Sequence, residues 1–240
     1  MEYTEPLTVP FFLGTKTGEL TLSNMVNIML LISEKQLDQI GAGMSALAEH
    51  GAGWVITQYH IDITRMPNVD EPLIIGTQAT SYNKLMTYRD YWIEDQNGQR
   101  IVMMHGAWVM MDLTKRKIIP IITSFPEKVG AAFDTKVERF PRLTKRTAFD
   151  QTRTYRVRYF DIDRNGHVNN AHYMDWLEDA LGADFLTSHQ PQSVDIKYAR
   201  EATYGTTVDA AVTVEGKTSY HQISTDGVVN AEAKLTWRVR

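Results

Sequence analysis

The sequence predicts an α+β protein whose two halves are diverged copies of one unit. Each half begins with one long helix-like segment and continues with several short alternating segments rich in β-branched residues. Asn97-Gly98 and Asp226-Gly227 each lie between two such segments, one pair in each half, and both dipeptides are strong signals for a β-hairpin. One long helix followed by consecutive antiparallel strands, occurring twice, is typical of the α+β class.

Three pairs of matching residues support the duplication, at separations of 133, 129 and 129 positions: Asp62 and Asp195, Gly98 and Gly227, Trp108 and Trp237. Internal similarity at a nearly constant separation is the sequence signature of a repeated unit. We therefore expect the second half to repeat the helix and the strands of the first.

The individual elements follow from capping residues and from the period of the apolar positions. In the first half, Ser23 is a good N-cap residue ahead of the apolar run from Met25 to Ile32. In the second half, the helical pattern covers about residues 169–183. The predicted strands cover residues 54–64, 73–80, 88–95, 101–112, 194–198, 208–214, 220–225 and 228–239.

A segment of mixed charge and little periodicity, residues 121–150, separates the two halves. Because it also holds Phe125, Phe133 and Phe140, we expect it to be ordered against the body of the protein. The predicted organisation is an N-terminal domain at residues 1–120, a linker at 121–150 and a C-terminal domain at 151–240.

The composition excludes several classes of function. The chain has no cysteine, which excludes disulfides, cysteine-ligated zinc, iron–sulfur clusters and thiol nucleophiles. The net charge of −4 argues against general nucleic-acid binding, and no apolar run approaches the roughly 18 residues of a membrane span. The first residues carry neither a signal-peptide nor a transit-peptide pattern. We therefore expect a cytoplasmic protein with no membrane or nucleic-acid partner.

The most informative segment is the polar stretch from Asp161 to Asn170, which lies between a strand-like pattern and the second predicted helix. Its first six residues fit the start of an EF-hand calcium loop, but position 12 of that loop needs a bidentate glutamate and is His172 here. Zinc bound by His167 and His172 is disfavoured, because their spacing suits no single helical face and no third histidine lies nearby. No metal and no other cofactor is expected.

Acid–base catalysis is the remaining chemical interpretation, with Asp163, Asn165 and His167 as candidates. The start of the predicted helix adds unpaired N–H groups, which can receive a polarised carbonyl oxygen. Turns rich in Asp, Asn and Gly are nevertheless frequent without any catalytic role, and a single histidine is more often structural. The residue pattern alone therefore leaves a catalytic loop and a simple polar turn both open.

Residues 161–173, DIDRNGHVNNAHY, resemble the active-site signature of the acyl-acyl carrier protein thioesterases. The resemblance continues in order through the chain, at residues 54–57, 88–91, 107–112 and 198–202. It implies two fused hotdog domains, each a long helix wrapped by an antiparallel sheet, the first holding the acyl pocket and the second the catalytic residues. It also implies hydrolysis of fatty acyl-acyl carrier protein to free fatty acid and carrier, which ends chain elongation in fatty acid synthesis.

By the same resemblance, the catalytic residues are Asp163, Asn165, His167 and Glu201. Glu201, with His167, would activate a water molecule as general base, and Asp163 would orient the site or attack the thioester carbonyl. The oxyanion would be bound by Asn165 and by the backbone N–H groups of Val168, Asn169 and Asn170.

Two positions refine this expectation. Plant members of the family often carry cysteine directly after the glutamate, where this chain has Ala202, so a thiol cannot be the nucleophile. The position 133 residues before Glu201 is Asn68, so the first half lacks the carboxylate. We expect one active site per chain, with the acyl tail buried toward the first half.

The implied partner is an acidic acyl carrier protein, for which basic residues would form a docking surface. The candidates are Lys115, Arg116, Lys117, Arg139, Arg142, Lys145 and Arg146. An acyl-coenzyme A thioesterase and a non-catalytic acyl-binding hotdog protein remain the alternatives. A homodimer is also open, because hotdog domains commonly pair.

Overall fold

The computed structural model describes residues 1–240 and contains five α-helices and twelve strands. The helices are α1 (Leu22–Gln39), α2 (Met44–Glu49), α3 (Ser124–Lys128), α4 (His172–Leu181) and α5 (Ala183–Ser188). The strands of the first half are β1 (Glu2–Thr8), β2 (Ala52–Ile63), β3 (Pro72–Tyr82), β4 (Met86–Glu94), β5 (Arg100–Asp112), β6 (Lys117–Ile119) and β7 (Ala132–Phe133). Those of the second half are β8 (Gln151–Arg156), β9 (His189–Tyr198), β10 (Thr207–Glu215), β11 (Thr218–Thr225) and β12 (Val228–Val239).

One continuous sheet joins the two halves in the order β1-β3-β4-β5-β2-β9-β12-β11-β10-β8. The first half reads β1-β3-β4-β5-β2, and the second, taken from the opposite end, reads β8-β10-β11-β12-β9, which is the same order of equivalent strands. Helix α1 packs on β1, β3 and β4, and α4 packs on β8, β10 and β11. The predicted α+β architecture, with one principal helix against an antiparallel sheet in each half, is confirmed.

The strand pairing at the centre of the sheet shows how the halves are related. Strands β2 and β9 are antiparallel, with Ile61 opposite Val194, His60 opposite Asp195 and Asp62 opposite Ser193. Ile61 and Val194 are 133 positions apart. For a repeat of 133 residues they are equivalent, and the pairs on either side of them exchange when the two strands are exchanged. This is the separation that Asp62 and Asp195 show in the sequence. The duplication is therefore visible as a local twofold relation at the middle of the sheet.

The two halves share one hydrophobic core. A cluster of 39 buried residues contains Met25 and Met29 of α1 together with Met174 and Leu177 of α4. The two helices also contact each other directly. Because apolar burial is the main favourable term in folding, a common core makes the halves depend on each other for stability.

The helix starts differ from those predicted. Helix α1 begins at Leu22 and its N-cap is Thr21, whose side chain accepts a hydrogen bond from the Asn24 N–H at 3.1 Å, so Ser23 lies inside the first turn. Helix α4 begins at His172 and not near Asn169. The side chain of Asn169 accepts from the Ala171 N–H at 3.0 Å, and this local bond competes with the first helical turn.

The segment at residues 121–150 is ordered against the body, as expected. Strand β7 pairs in parallel with β3. Further along, Glu138 Oε2 lies 2.8 Å from His105 Nε2, and the Phe140 ring stacks on the same imidazole with centroids 5.0 Å apart. Burial alone would lower the pKa of His105, but hydrogen bonds and attraction from Asp90 and Glu138 raise it above its usual value.

Close packing against a strand glycine gives a first prediction, a loss of stability in Gly76→Ala. A Cβ atom at Gly76 would lie 2.1 Å from Cε2 of the buried Trp92 ring. Because a buried indole has little room to move, we expect the substitution to lower the free energy of unfolding by about 1–3 kcal/mol. Equilibrium unfolding in urea measures this.

The matched control is Gly53→Ala, whose Cβ would meet the end of the exposed, flexible Leu113 side chain at 2.9 Å. Leu113 can rotate away, so this variant is expected to keep nearly the parental stability. Equal losses in the two variants would contradict the packing argument.

Candidate active site

The loop that precedes α4 is built on the buried carboxylate of Asp161. This carboxylate accepts a hydrogen bond from the Arg158 N–H at 2.8 Å and pairs with the Arg158 guanidinium at 2.6 Å. Burial alone would raise the pKa of Asp161, but these bonds from Arg158 hold it below its usual value. Asp161 is thus a structural anchor, and its backbone oxygen accepts from the Asn169 N–H at 2.9 Å.

The turn that follows presents Asp163 and Asn165 to solvent. Asp163 and His167 pair through the Asp163 N–H and the His167 carbonyl oxygen at 2.9 Å, and Gly166 adopts a left-handed φ of 81° to close the turn. The carboxylate of Asp163 accepts from the Asn165 N–H at 2.8 Å and lies 3.4 Å from its side-chain amide nitrogen. The two side chains therefore form one local pair.

His167 and Glu201 form a second pair, across 34 positions of sequence. Nε2 of His167 lies 3.1 Å from Oε2 of Glu201, and Nδ1 of His167 is buried without a hydrogen-bond partner. Asn230, itself buried, fixes the backbone around Glu201, because its carbonyl oxygen accepts from the N–H groups of Ala199 and Arg200. No hydrogen bond joins the His167–Glu201 side chains to the Asp163–Asn165 pair, so the four predicted residues are two adjacent pairs.

The hydrogen bonds of the structure correct the expectation that three backbone N–H groups are free to bind an oxyanion. The Val168 N–H donates to the Ala202 carbonyl at 3.1 Å, and the Asn169 N–H donates to Asp161 at 2.9 Å. Both donors are therefore committed within the fold, and both lie ahead of the first turn of α4. The N–H of Asn170 has no intramolecular acceptor, so of the three it alone remains available for that predicted role.

Arg116 is a site residue that the sequence did not indicate. It lies in the turn between β5 and β6, with a left-handed φ of 54°. Its Nη2 donates to Oε2 of Glu201, 85 positions away, and lies 3.5 Å from Nε2 of His167. In the sequence, Arg116 stands out only as one member of a basic run, because the contact depends on how the two halves come together.

The first half contains a structural copy of the loop at residues 161–170, with different side chains at the candidate positions. The Thr15 N–H donates to the Glu19 carbonyl at 2.7 Å, as Asp163 does to His167, and Gly18 has the same φ of 81° as Gly166. The separation is 148 positions, so the first half has Thr15, Thr17 and Glu19 where the second has Asp163, Asn165 and His167.

The comparison of the two loops also corrects which residue of the first half is equivalent to Glu201. The Leu20 N–H donates to the Pro67 carbonyl at 2.8 Å, which matches the bond from Val168 to Ala202. Met66, and not Asn68, therefore stands where the second half has Glu201. The conclusion that the first half lacks this carboxylate is unchanged.

Other features lie apart from this chemistry. A cleft of about 390 Å³ is lined by residues of the central strands and of the linker, among them Gln58, Phe140, Arg142, Lys197 and Glu232. It does not include His167 or Glu201. No group of three or more His, Asp or Glu side chains is placed to hold a metal ion, and His172 is paired with Asp175 at 3.0 Å. None of the helices has both the length and the hydropathy needed to cross a membrane.

The fold and the site together define a double-hotdog protein with a histidine–carboxylate pair beside a polar turn. A solved structure from Lactobacillus plantarum, provisionally described as an oleoyl thioesterase, matches all of this chain and 96% of its own, with 38% identity and a TM-score of 0.97. The 12:0-ACP thioesterase of Umbellularia californica shares the fold, with a TM-score of 0.88 at 17% identity over 100% of this chain and 98% of that one.

Family models give the more specific assignment. The acyl-ACP thioesterase N-terminal domain matches residues 1–128, and the acyl-ACP thioesterase C-terminal domain matches residues 144–239. The chain therefore belongs to the acyl-ACP thioesterase family. A chloroplastic dodecanoyl-[acyl-carrier-protein] hydrolase of Umbellularia californica is 22% identical over 92% of this chain. The chain spans 52% and 63% of the lengths of the two plant dodecanoyl hydrolases it matches.

Proposed function

We propose that the chain hydrolyses fatty acyl thioesters of acyl carrier protein and so ends chain elongation in fatty acid synthesis. The observation that carries this proposal is the contact between His167 and Glu201 beside the open Asp163–Asn165 turn. Membership of the acyl-ACP thioesterase family supports the substrate class. Hydrolysis of acyl-coenzyme A is the second candidate, because the thioester chemistry is the same and only the carrier differs.

Glu201 is the proposed general base. Its Oε1 accepts no hydrogen bond, whereas Oε2 accepts from Arg116 and lies 3.1 Å from Nε2 of His167, so one oxygen is free to take a proton from water. The water oxygen forms a bond to the thioester carbon, and the carbonyl electrons move to oxygen. When that oxyanion collapses, the carbon–sulfur bond breaks, and the departing thiolate takes the proton from the Glu201–His167 pair.

Asp163 is proposed to orient Asn165 and not to attack the carbonyl itself. Its two carboxylate oxygens face the N–H and the side-chain amide of Asn165. The second N–H of the Asn165 amide can then donate to a substrate oxygen, together with the N–H of Asn170. The site then consists of a base, a histidine that holds it, and hydrogen-bond donors.

Release of free thiol tests the proposed function. The purified protein is incubated with medium- and long-chain acyl carrier proteins and with coenzyme A carrying the same acyl groups, and His167→Ala is run in parallel. We expect release from the carrier protein by the parent and its loss in the variant. Release from coenzyme A alone would select the second candidate. No release from either carrier would contradict hydrolysis and leave an acyl-binding protein.

A matched pair of alanine substitutions tests whether the first-half loop takes part in catalysis. Asn165→Ala removes a proposed oxyanion donor, and we expect kcat to fall about 10²–10³-fold. Thr17→Ala changes the equivalent position of the first-half loop, and kcat is expected to stay at the parental value. Thiol release by both folded variants measures this. Loss of turnover in Thr17→Ala would contradict the division into a catalytic half and a half that holds the acyl tail.

The proposed partner is an acidic carrier protein, and the basic residues proposed to contact it differ in whether they are already paired within the protein. Arg146 is bound to Glu215 through two bonds of 2.7 Å and lies over the Tyr220 ring, and Arg116 is engaged at the site. Arg139, Arg142 and Lys145 are exposed. Beside the catalytic loop, Arg156, Arg164, Tyr159 and Phe160 are exposed as well, which adds a basic and aromatic surface. A cytoplasmic location and a homodimer stay predictions.

A further inference from the structure

The candidate site has few donors for a developing negative charge. Two of the three backbone N–H groups expected there are bonded to carbonyl oxygens of Ala202 and Asp161. One N–H of the Asn165 side-chain amide faces Asp163, so only its second N–H can be offered to a substrate. Of the three backbone groups, only the N–H of Asn170 has no intramolecular acceptor. Because oxyanion stabilisation is commonly a large part of acyl-transfer catalysis, a charged donor beside these two neutral ones would add to it.

Arg116 has unused donors at this place. A guanidinium carries five N–H groups, and Arg116 uses only Nη2, which donates to Glu201 and lies 3.5 Å from Nε2 of His167. Its side chain is 36% exposed, and neither Nε nor Nη1 donates a hydrogen bond within the protein. A guanidinium stays charged at all working pH values and is suited to binding an oxyanion.

The hairpin that carries Arg116 is firmly built. The Asp112 side chain accepts from the N–H groups of Thr114 at 3.0 Å and Lys115 at 2.7 Å, and its backbone oxygen accepts from the Arg116 N–H at 2.9 Å. The turn extends from β5, a strand of 13 residues inside the sheet. A donor placed on a rigid element is preorganised, so it costs little reorganisation when charge develops.

We infer that Arg116 is a catalytic residue, donated by the first half, that binds the oxyanion formed when water attacks the thioester in the second half. The inference rests on the proposed function and adds a residue to its mechanism. The new oxygen–carbon bond forms as Glu201 takes the water proton, and the negative charge on the former carbonyl oxygen is met by the guanidinium. The electron pair on that oxygen re-forms the carbonyl as the carbon–sulfur bond breaks, and the negative charge leaves on the thiolate, which takes the proton that Glu201 had accepted.

Electrostatics favour this role over a purely structural ion pair. The oxyanion develops close to the carboxylate of Glu201, and two like charges at such a distance repel each other. A guanidinium that contacts the carboxylate and still has free N–H groups reduces this repulsion. The site is then complete only when the hairpin of one half reaches the catalytic loop of the other.

Kinetics of Arg116→Gln and Arg116→Lys test the inference. We expect Arg116→Gln to lower kcat about 10²–10³-fold with little change in KM, because the lost interaction exists only in the transition state. Arg116→Lys keeps the charge and is expected to recover part of the lost kcat. The control is Arg100→Gln, which removes an exposed arginine at the start of β5, the strand that leads into the Arg116 turn, from its contact with Glu94 at 3.1 Å. It is expected to keep the parental kcat.

A binding measurement separates catalysis from a structural effect. An acyl trifluoromethyl ketone adds water to form a tetrahedral species that resembles the oxyanion, whereas a thioether analogue of the acyl substrate cannot. Arg116→Gln is expected to raise the dissociation constant of the ketone about 10²-fold and to leave that of the thioether nearly unchanged. Equal weakening of both ligands would show a structural effect and overturn the inference.

The possible failures can be told apart. If the parent releases thiol and Arg116→Gln keeps or raises kcat, the contact with Glu201 is inert or inhibitory, and the inference alone is wrong. If the parent hydrolyses neither carrier-bound nor coenzyme A thioesters, the proposed function fails and the inference fails with it.

Discussion

Replacing Glu201 with glutamine is expected to lower kcat for acyl-ACP hydrolysis about 10²–10⁴-fold. The amide has nearly the shape of the carboxylate, but it cannot accept the proton of the attacking water. Because Glu201 is held by His167 and Arg116 and not by the acyl chain, KM is expected to change little. Steady-state thiol release with one acyl carrier protein substrate measures both constants, and circular dichroism confirms the fold.

Glu94→Gln is the matched control for this experiment. Glu94 is also paired with an arginine, Arg100, but it lies on β4 and is not part of the candidate site. It is expected to retain the parental kcat. Should Glu201→Gln keep a kcat close to that of Glu94→Gln, the general-base role would pass from Glu201 to another group, of which Asp163 is the nearest carboxylate in sequence to His167.

Acid is expected to destabilise the parent more than a His221→Gln variant. His221 is buried on β11, and burial lowers its pKa from 6.5 to about 3. The folded state keeps the imidazole neutral, whereas the unfolded chain takes up a proton as the pH falls below 6.5. This contribution to stability is therefore present above pH 6.5 and is lost toward pH 3. Between pH 7 and pH 4 the loss is on the order of 3 kcal/mol.

Urea unfolding at pH 7 and pH 4 measures the difference. At pH 7 we expect His221→Gln to be less stable than the parent, because His221 Nε2 pairs with Ser219 Oγ at 2.7 Å in a close-packed core. At pH 4 the free energies of unfolding of the parent and His221→Gln are expected to become nearly equal, or the variant is expected to be the more stable of the two. His50→Gln removes an exposed imidazole and serves as control. A constant difference between parent and His221→Gln at both pH values would contradict the role of the buried imidazole.

Most of the fold could be predicted because its strands alternate strongly and are bounded by turn residues. Strand β12 covers the residues predicted for it, and β5 differs by one residue at its start. Strand β1 was missed, since it contains Pro6 and lies at the edge of the sheet, where a missing N–H is tolerated. The helix starts were displaced because Thr21 and Asn169 form local side-chain bonds that no periodicity reveals.

The site was predicted less completely, for a physical reason. His167 and Glu201 were named from a signature, and the structure brings them to 3.1 Å. Whether a given backbone N–H is free depends on carbonyl groups far away in sequence, so the donors of Val168 and Asn169 could not be judged. Arg116 was missed for the same reason, because its partner lies in the other half and no spacing links them.

The antiparallel junction of β2 and β9 also bears on solubility. A half expressed alone would leave one of these strands as an open edge, with unpaired N–H and C=O groups along the five residues that pair here, Gln58–Asp62 in β2 or Ser193–Lys197 in β9. Such edges recruit other chains, which leads to swapping or aggregation. With both halves present, each of the two strands covers this part of the other's edge, and the outermost strands are the shorter β1 and β8. Fusion of the halves thus protects the protein from self-association at the place where its own symmetry would otherwise invite it.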